Sequence, residues 1–187
     1  LIIAGDVFDV SNPSAASQRM YYEFIYRVTA ENPGLQIVIV AGNHDSAARL
    51  EAPLPLLQAM RTEVRGVVRK LNEGEIDYDH LAVELKNREG EVEVLCMAVP
   101  FLRQGDYPVV ETEGNPYMEG VRELYTQLLQ RLWARRKTNQ AILAIGHLQA
   151  TGSEIAEKDY SERTVIGGLE CVSPDTFSEK IAYTALG

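Results

Sequence analysis

One stretch of this sequence reads Ile37-Val38-Ile39-Val40-Ala41-Gly42-Asn43-His44-Asp45. Its first five residues are apolar and mostly β-branched, which predicts a buried strand of a parallel sheet. An amide, an imidazole and a carboxylate then follow a glycine, at the place where open α/β sheets carry their binding sites. These groups can supply a metal ligand, a proton donor and an anchoring acceptor. An Asn-His-Asp turn can also cap a helix, so this stretch alone leaves both interpretations open.

The same arrangement recurs at two other predicted strand ends. The chain opens with a short apolar run that leads to Gly5-Asp6-Val7-Phe8-Asp9, and a later apolar run, 141–145, leads to Gly146-His147. Because the carboxyl ends of parallel strands share one edge of a sheet, we expect these motifs to meet. Oxygen and nitrogen ligands of this mixture suit manganese, iron, zinc or magnesium. The sequence therefore predicts one shared metal site, with candidate ligands Asp6, Asn43 and His147.

Length, charge and cysteine content bound the class of protein. The chain has 187 residues, enough for one sizeable core, and we expect residues 1–187 to form one domain. A net charge of −9 argues against a broad DNA-coating surface and leaves room for a local basic patch. No apolar run approaches the ~20 residues of a membrane span, and no leader is evident, so we expect a cytoplasmic protein without membrane attachment. Cys96 and Cys171 are expected to be reduced, buried thiols.

The periodicity around the motifs predicts an α/β fold. A helix over 14–30, capped by Asn12, precedes a strand over 35–41, which makes a β-α-β unit with a parallel pair of strands. Alternating hydrophobicity over 79–101 then predicts an antiparallel hairpin turning at 87–90, appended to the parallel start. The other predicted elements are a short helix ending at Leu50, a second over 54–60, a long helix over 117–137 and a last strand over 181–186.

The first predicted helix carries more apolar residues than a narrow stripe needs. Its sheet-facing stripe is expected to contain Met20, Tyr21, Phe24, Ile25 and Val28. Tyr22 and Tyr26 fall beside that stripe, and either a wide core face or a self-association surface accounts for them.

Basic residues and another histidine lie near the motifs in sequence. Four cations follow the second short helix, where they form either a solvated face or the rim of the site; they are Arg61, Arg65, Arg69 and Lys70. His80 is interpreted as a surface loop histidine rather than a ligand. The polar loop 103–115 suits either a flap over a site or a plain connection.

The motifs in combination resemble the calcineurin-like metallophosphoesterases. Members of that family carry Asp-x-His, Gly-Asp-x-x-Asp, Gly-Asn-His-Asp or Gly-Asn-His-Glu, a lone Gly-His and Gly-His-x-His at successive strand ends, and the three middle motifs are present here. Within the family, the chain is similar to bacterial DNA end-processing nuclease subunits. That likeness is carried by Ala4 to Asp9, Gly42 to Ser46, Val99-Pro100-Phe101-Leu102-Arg103, Ser161-Glu162-Arg163, Ile166-Gly167-Gly168-Leu169-Glu170 and Ala185-Leu186-Gly187.

The resemblance implies a β-sandwich flanked by helices, present here as a partial domain. The chain begins with Leu1 inside a predicted strand and stops at Gly187, where the closing motif would continue. We therefore expect it to lack the strand with Asp-x-His and the final His-x-His. With only part of each metal's ligands, these residues alone are expected to hydrolyse nothing efficiently and to fold only marginally.

The resemblance also assigns roles to residues that match the family motifs. It implies that Asp6 bridges two divalent metal ions, with Asn43 and His147 binding one of them. It implies that His44 protonates the leaving oxygen or steadies the scissile phosphate, and that Asp45 orients His44. Two cations held ~3.5 to 4 Å apart would activate a bridging water and clamp the attacked phosphate.

The implied activity is exonucleolytic and endonucleolytic cleavage of DNA in double-strand-break or hairpin processing. Manganese is the expected metal, ahead of magnesium, iron or zinc. The expected assembly is a homodimer, formed through the helix with Tyr22 and Tyr26 and bound to an ATPase of the SMC-like coiled-coil type. Asp9 is left with a role beside the metal ligands or the substrate, and no DNA-contacting residue is assigned.

Two other functions remain open from the sequence. The same scaffold supports a small-molecule phosphatase or nucleotide phosphodiesterase, which the acidic composition favours. A non-catalytic scaffold that dimerises through the Tyr22 and Tyr26 helix is the alternative from another class. Hydrolysis of duplex DNA compared with a simple phosphomonoester, and the effect of His44→Ala, separate these hypotheses.

Overall fold

The computed structural model describes residues 1–150 and 171–187. In these residues the strands are β1 (Ile2–Ala4), β2 (Ile37–Val40), β3 (Thr62–Arg65), β4 (Ala82–Lys86), β5 (Val92–Ala98), β6 (Ala141–Gly146) and β7 (Tyr183–Leu186). The helices are α1 (Ala15–Glu31), α2 (Ala47–Glu51), α3 (Leu54–Ala59) and α4 (Pro116–Arg135), with single 3₁₀ turns at Asn72–Gly74 and Pro174–Thr176. The motifs quoted from 161–163 and 166–170 lie outside the described residues.

The strands form two sheets. The first has the order β1-β2-β3 and is entirely parallel, as the β-α-β pattern predicted. The second has the order β4-β5-β6-β7, in which β4 and β5 are antiparallel and the other pairs are parallel. The hairpin prediction is confirmed, but its expected attachment to the first sheet is wrong. The connection 66–81 carries the chain to the second sheet instead.

Strand β2 is buried on both faces because it lies between a helical layer and the second sheet. Ile37 and Ile39 pack into the core beneath α1, α2 and α3. Val38 and Val40 point the other way and pack against the second sheet. Helix α4 covers the far face of that second sheet. The layers are therefore helix, sheet, sheet, helix, which confirms the expected sandwich flanked by helices.

Helix α1 differs from its prediction at both its cap and its buried face. Ser14, not Asn12, is the N-cap, and its hydroxyl accepts the amide of Ser17 at 3.1 Å. Asn12 instead accepts a hydrogen bond from Arg49 on α2. Pro13 separates Asn12 from Ser14, and the helix begins at Ala15, one residue beyond the serine.

The buried stripe of α1 is narrower than predicted. Tyr21 and Ile25 are buried, whereas Met20 is 69% and Phe24 46% exposed. Successive residues on a helix point about 100° apart, so when Tyr21 points at the sheet the side chain of Met20 points about 100° away from it. The helix contacts its sheet along one edge of the predicted stripe, and the rest faces outward.

Helix α4 follows its prediction closely at its start and less closely at its end. Asn115 caps it by accepting the amides of Tyr117 and Met118. The helix ends at Arg135, two residues before its predicted end, and Trp133 in its last turn is 39% exposed, with Arg136 and Lys180 over its ring. In the described ranges, no helix has the length and apolarity needed to cross a membrane.

The two cysteines are free, as expected. Cys96 is buried between the sheets, and burial raises the pKa of its thiol to about 12, so it is unreactive at neutral pH. Cys171 is only partly buried.

Candidate metal centre

The loop after β1 brings Asp6 to the end of the sheet through an unusual backbone. Gly5 has a φ of +94° and Asp6 a φ of +46°, so both residues lie in the left-handed region. The loop after β2 passes close beside them, and a Cβ on Gly42 would stand 2.0 Å from Asp6 Oδ1. Glycine at position 42 is therefore required for the two loops to touch.

The carboxylate of Asp45 joins these two loops. Asp45 is 2% exposed. Its Oδ2 accepts the amides of Gly42 at 2.8 Å and Val7 at 3.1 Å, and its Oδ1 accepts the amide of Phe8 at 2.9 Å. Three amide donors aimed at one carboxylate hold it in a fixed place. These contacts make Asp45 the link between the two motif loops. That Asp45 also orients His44 stays a prediction.

His147 enters the same place from the end of β6 in the second sheet. Its Nδ1 lies 2.9 Å from the carbonyl oxygen of Ala4. Its Nε2 lies 2.9 Å from Asn43 Oδ1 and 3.5 Å from Asp6 Oδ2. A Cβ on Gly5 would stand 2.0 Å from the imidazole, so this glycine makes room for the ring. The structure thus brings together the three residues predicted as ligands.

The donor set fits a divalent cation. A carbonyl oxygen only accepts, so Nδ1 of His147 carries the proton that it donates to Ala4. Nε2 then faces the side-chain oxygens of Asn43 and Asp6. Imidazole nitrogen and amide and carboxylate oxygens are ligands that divalent metals accept, and metal-binding histidines commonly donate their other N–H to a carbonyl. Within 1–150 and 171–187, no group of three His, Cys, Asp or Glu side chains forms a metal-binding cluster, so the amide of Asn43 completes this set.

His44 and Asp9 stand differently toward these ligands. The amide of His44 donates to Asp6 Oδ1 at 3.1 Å, and its Nδ1 lies 3.8 Å from Asp6 Oδ2. The His44 side chain is 21% exposed, so it can reach a bound molecule. Asp9 is exposed, and its carboxylate forms no hydrogen bond or ion pair within the described part of the chain.

Residues 99–101, which follow β5, border the same site, although the sequence motifs did not assign them to it. The amide of Val99 donates to Ile145 at 3.1 Å, and the amide of Phe101 donates to Ala41 at 2.8 Å. The segment therefore ties the ends of β6 and β2 together. The ring of Phe101 meets the His147 imidazole edge to face, with centroids 6.2 Å apart. The sequence clue was the proline stop directly after a strand that ends at this edge.

Two of the four cations for which a solvated face and a rim position were both open are engaged in other contacts. Arg65 is buried and binds Glu63 and the carbonyl of His80. Arg69 pairs with Glu51 at 3.3 Å. Arg65 therefore does not lie on the rim of the site, because strand β3 turns its guanidinium into the protein.

The interpretation of His80 as a surface histidine is wrong. Its side chain is 7% exposed and its Nε2 lies 3.4 Å from Glu51 Oε1. Glu51 also accepts the amides of Gly66 and Val67. Burial alone would raise the pKa of Glu51, but hydrogen bonds from His80, the two amides and Arg69 outweigh it and lower the pKa to about 2. His80 is therefore a partner in a structural cluster beside α2.

A family model for calcineurin-like phosphoesterases matches residues 1–171. The chain belongs to the calcineurin-like phosphoesterase family. Membership implies divalent metal ions, in agreement with the donor set at the end of the two sheets. It also agrees with the two sheets flanked by helices.

Curated relatives of this phosphoesterase share one name, that of the D subunit of the nuclease SbcCD. The chain is 36% identical to this protein from Rhodobacter capsulatus, over 100% of its own length and 47% of the relative. It is 27% identical to the protein of the same name from Escherichia coli and 24% identical to the one from Bacillus subtilis, covering 45% of each. The phosphoesterase chain thus spans less than half the length of these relatives.

Proposed function

We propose that this chain contributes the catalytic centre of a metal-dependent phosphodiesterase that cleaves DNA, a nuclease of the SbcD type. The observation that carries the proposal is the convergence of Asp6, Asn43 and His147 from three strand ends on two sheets. The curated relatives, each named as a nuclease subunit, support DNA as the substrate.

In this proposal, Asp6, Asn43 and His147 hold divalent ions, with Asp6 shared between two of them. Manganese is the proposed metal, since mixed oxygen and imidazole ligands suit it. When bound, such ions activate water and neutralise the charge of the attacked phosphate. The hydrogen bond from His147 Nδ1 to Ala4 keeps Nε2 facing Asn43 and Asp6, where it would serve as a ligand.

His44 is the proposed proton donor. It is partly exposed beside Asp6, which suits a side chain that gives a proton to the departing sugar oxygen. Asp45 keeps His44 in place through the backbone, because its carboxylate fixes the loop in which both residues lie. Asp9 is proposed to face the substrate, since its carboxylate is exposed beside the same loop.

The proposed biological setting is DNA repair, recombination and replication in the cytoplasm, where double-strand breaks and hairpins are processed. The relatives are named as one subunit of a nuclease, and we propose an SbcC-type ATPase as the second subunit here. We also propose a homodimer through α1, where Tyr22 is 36% and Tyr26 65% exposed.

The first experiment measures manganese-dependent release of nucleotides from end-labelled linear duplex by the full-length protein. His44→Ala is expected to lower kcat by about 100-fold or more, because general acid catalysis is removed. Asn43→Ala is expected to lower manganese affinity as well. Asn139→Ala changes an exposed loop asparagine just before β6, at the opposite end of that strand from His147; it is the matched control and is expected to be silent.

Two results would redirect the proposal. Turnover of p-nitrophenyl phosphate without DNA cleavage would indicate a small-molecule phosphatase. Undiminished DNA processing by His44→Ala would indicate a scaffold whose catalytic residues lie elsewhere.

A further inference from the structure

Phe101 connects the candidate metal centre to a cation on the surface. One contact of its ring is the edge-to-face packing on His147 described above. In its other contact, the guanidinium carbon of Arg103 stands over the ring, 5.3 Å from its centroid. The backbone amide of Phe101 donates a hydrogen bond to the carbonyl of Ala41, so the ring stays beside the loop that carries Asn43 and His44.

The charge of Arg103 is available to a ligand. Arg103 is exposed, and in the described part of the chain its guanidinium pairs with no carboxylate, unlike Arg65 and Arg69. In the described residues Asp106 forms no ion pair with this guanidinium; its carboxylate accepts the backbone amide of Arg103 at 2.8 Å. The amide of Asp106 returns a bond to the Arg103 carbonyl at 2.9 Å, so the turn that carries the arginine is closed.

The surroundings of Arg103 favour a phosphate as its ligand. The chain has a net charge of −9, so a polyanionic substrate needs local cations to approach the acidic metal ligands. A guanidinium stacked on an aromatic ring keeps its N–H groups in one plane and can bind two phosphate oxygens at once. Arg103 and His147 contact the same ring, at 5.3 Å and 6.2 Å from its centroid, which is the scale of a few nucleotides of one strand at an axial rise of ~3.4 Å each.

We propose that Arg103 binds a backbone phosphate of the DNA a few nucleotides from the cleaved bond, and that Phe101 positions both Arg103 and His147. This inference rests on the proposed nuclease function and names a residue that holds its substrate. Arg103 contacts the substrate, whereas Phe101 acts through its neighbours.

The test measures DNA binding separately from cleavage, using full-length protein in a His44→Ala background and a short linear duplex. Arg103→Ala is expected to weaken binding about ten-fold at ~0.1 M salt, as the loss of a charge-assisted hydrogen bond does. The slope of log Kd against log salt is expected to fall by ~0.9, the value for one phosphate contact. Arg103→Lys is expected to keep that slope and bind with intermediate affinity, because it retains charge without the planar fork.

Controls separate a contact from general damage. Arg88→Ala, in the hairpin turn at the opposite end of β5, is expected to bind like the parent protein. In protein that retains His44, Phe101→Leu is expected to raise KM for DNA and also to weaken manganese binding. The change removes the ring that positions both Arg103 and His147. Equal urea unfolding curves for Arg103→Ala and its parent show that the fold is intact.

The outcomes distinguish this inference from the function beneath it. Unchanged affinity and salt slope in Arg103→Ala, with DNA cleaved normally by the parent protein that retains His44, would overturn the role of Arg103 alone. DNA binding that depends on Arg103 without any cleavage would overturn the nuclease function and leave the contact standing. Absence of DNA binding by the parent would overturn both.

Discussion

Gly5 and Gly90 adopt nearly the same backbone conformation in very different surroundings. Their φ angles are +94° and +86°, but a Cβ would meet the His147 ring only at Gly5 and open space at Gly90. We expect Gly90→Ala to destabilise the protein by about 1 kcal/mol, the strain of a left-handed alanine. Gly5→Ala is expected to destabilise it by about 3 kcal/mol, because the imidazole must move as well. Urea unfolding checks these values, and equal losses would show that the ring has room.

The same displacement should appear in metal binding. Gly5→Ala is expected to weaken manganese affinity about ten-fold or more, since the Nε2 atom of His147 leaves the oxygens of Asp6 and Asn43. Isothermal titration with manganese measures this, with Gly90→Ala as the control. Tight manganese binding by Gly5→Ala would contradict the role of His147 as a ligand.

Asp45 provides a second quantitative test. Its two oxygens accept three backbone amides, and in Asp45→Asn one amide group would face another N–H. We expect a loss of about 2 kcal/mol in the free energy of unfolding, the penalty of a buried donor without an acceptor. Asp79→Asn breaks only an exposed pair with Arg135 and should change stability by less than ~1 kcal/mol. Similar effects of both changes would mean that the two loops are joined by other contacts.

Helix α2 links the metal loop to the connection between the sheets, and it does so through Glu51. The folded pKa of Glu51 is about 2, below its ordinary value of 4.5, so its ionised form favours the folded state. Its contribution, on the order of 3 kcal/mol, is therefore complete above pH 4.5 and is lost as the pH falls toward 2. The difference in unfolding free energy between the parent and Glu51→Gln should shrink over this interval.

Urea unfolding at a series of pH values measures that difference. Glu84→Gln, at an exposed position of β4, serves as the matched control and should show no such trend. A pH-independent difference for Glu51→Gln would mean that packing, and not charge, sets the importance of this residue.

The elements that were predicted correctly are those whose hydrophobic pattern or turn sequence allowed only one interpretation. Strand β2 and the hairpin turn at 87–90 were predicted because β-branched runs and an Asn-Arg-Glu-Gly turn act locally. Helix α1 was placed to within one residue at each end, but its buried face was too broad. The width of a buried stripe depends on how the helix lies on its sheet, which its own periodicity does not encode.

The metal centre joins the two sheets, so metal binding should stabilise the molecule as a whole. Asp6 and Asn43 come from the first sheet and His147 from the second. Manganese at 100 times its Kd should raise the free energy of unfolding by about 2.7 kcal/mol and the Tm by about 5 °C or more. Trp133, the only tryptophan, lies on α4 against the second sheet and reports this shift by fluorescence.

The control for this experiment is Asp6→Asn, which removes a ligand contributed by the first sheet. The Tm of this variant should change by less than ~1 °C when manganese is added. Asp6 follows β1 in the first sheet and Trp133 lies on α4, so the substitution does not alter the surroundings of the reporter directly. A shift in the Trp133 transition that persists in Asp6→Asn would show that manganese binds at another place.

The local sequence was sufficient to predict three apolar strands, each followed by a glycine and a polar side chain, and to predict that their ends meet, although β1 is only partly buried. That inference worked because strand burial and the direction of parallel strands follow from short apolar runs. The place of the hairpin in the second sheet, the contact of Phe101 with His147 and the pairing of Glu51 with His80 arose only in the folded chain. These features join residues far apart in sequence, and their geometry depends on how the sheets and helices pack, which no local pattern specifies.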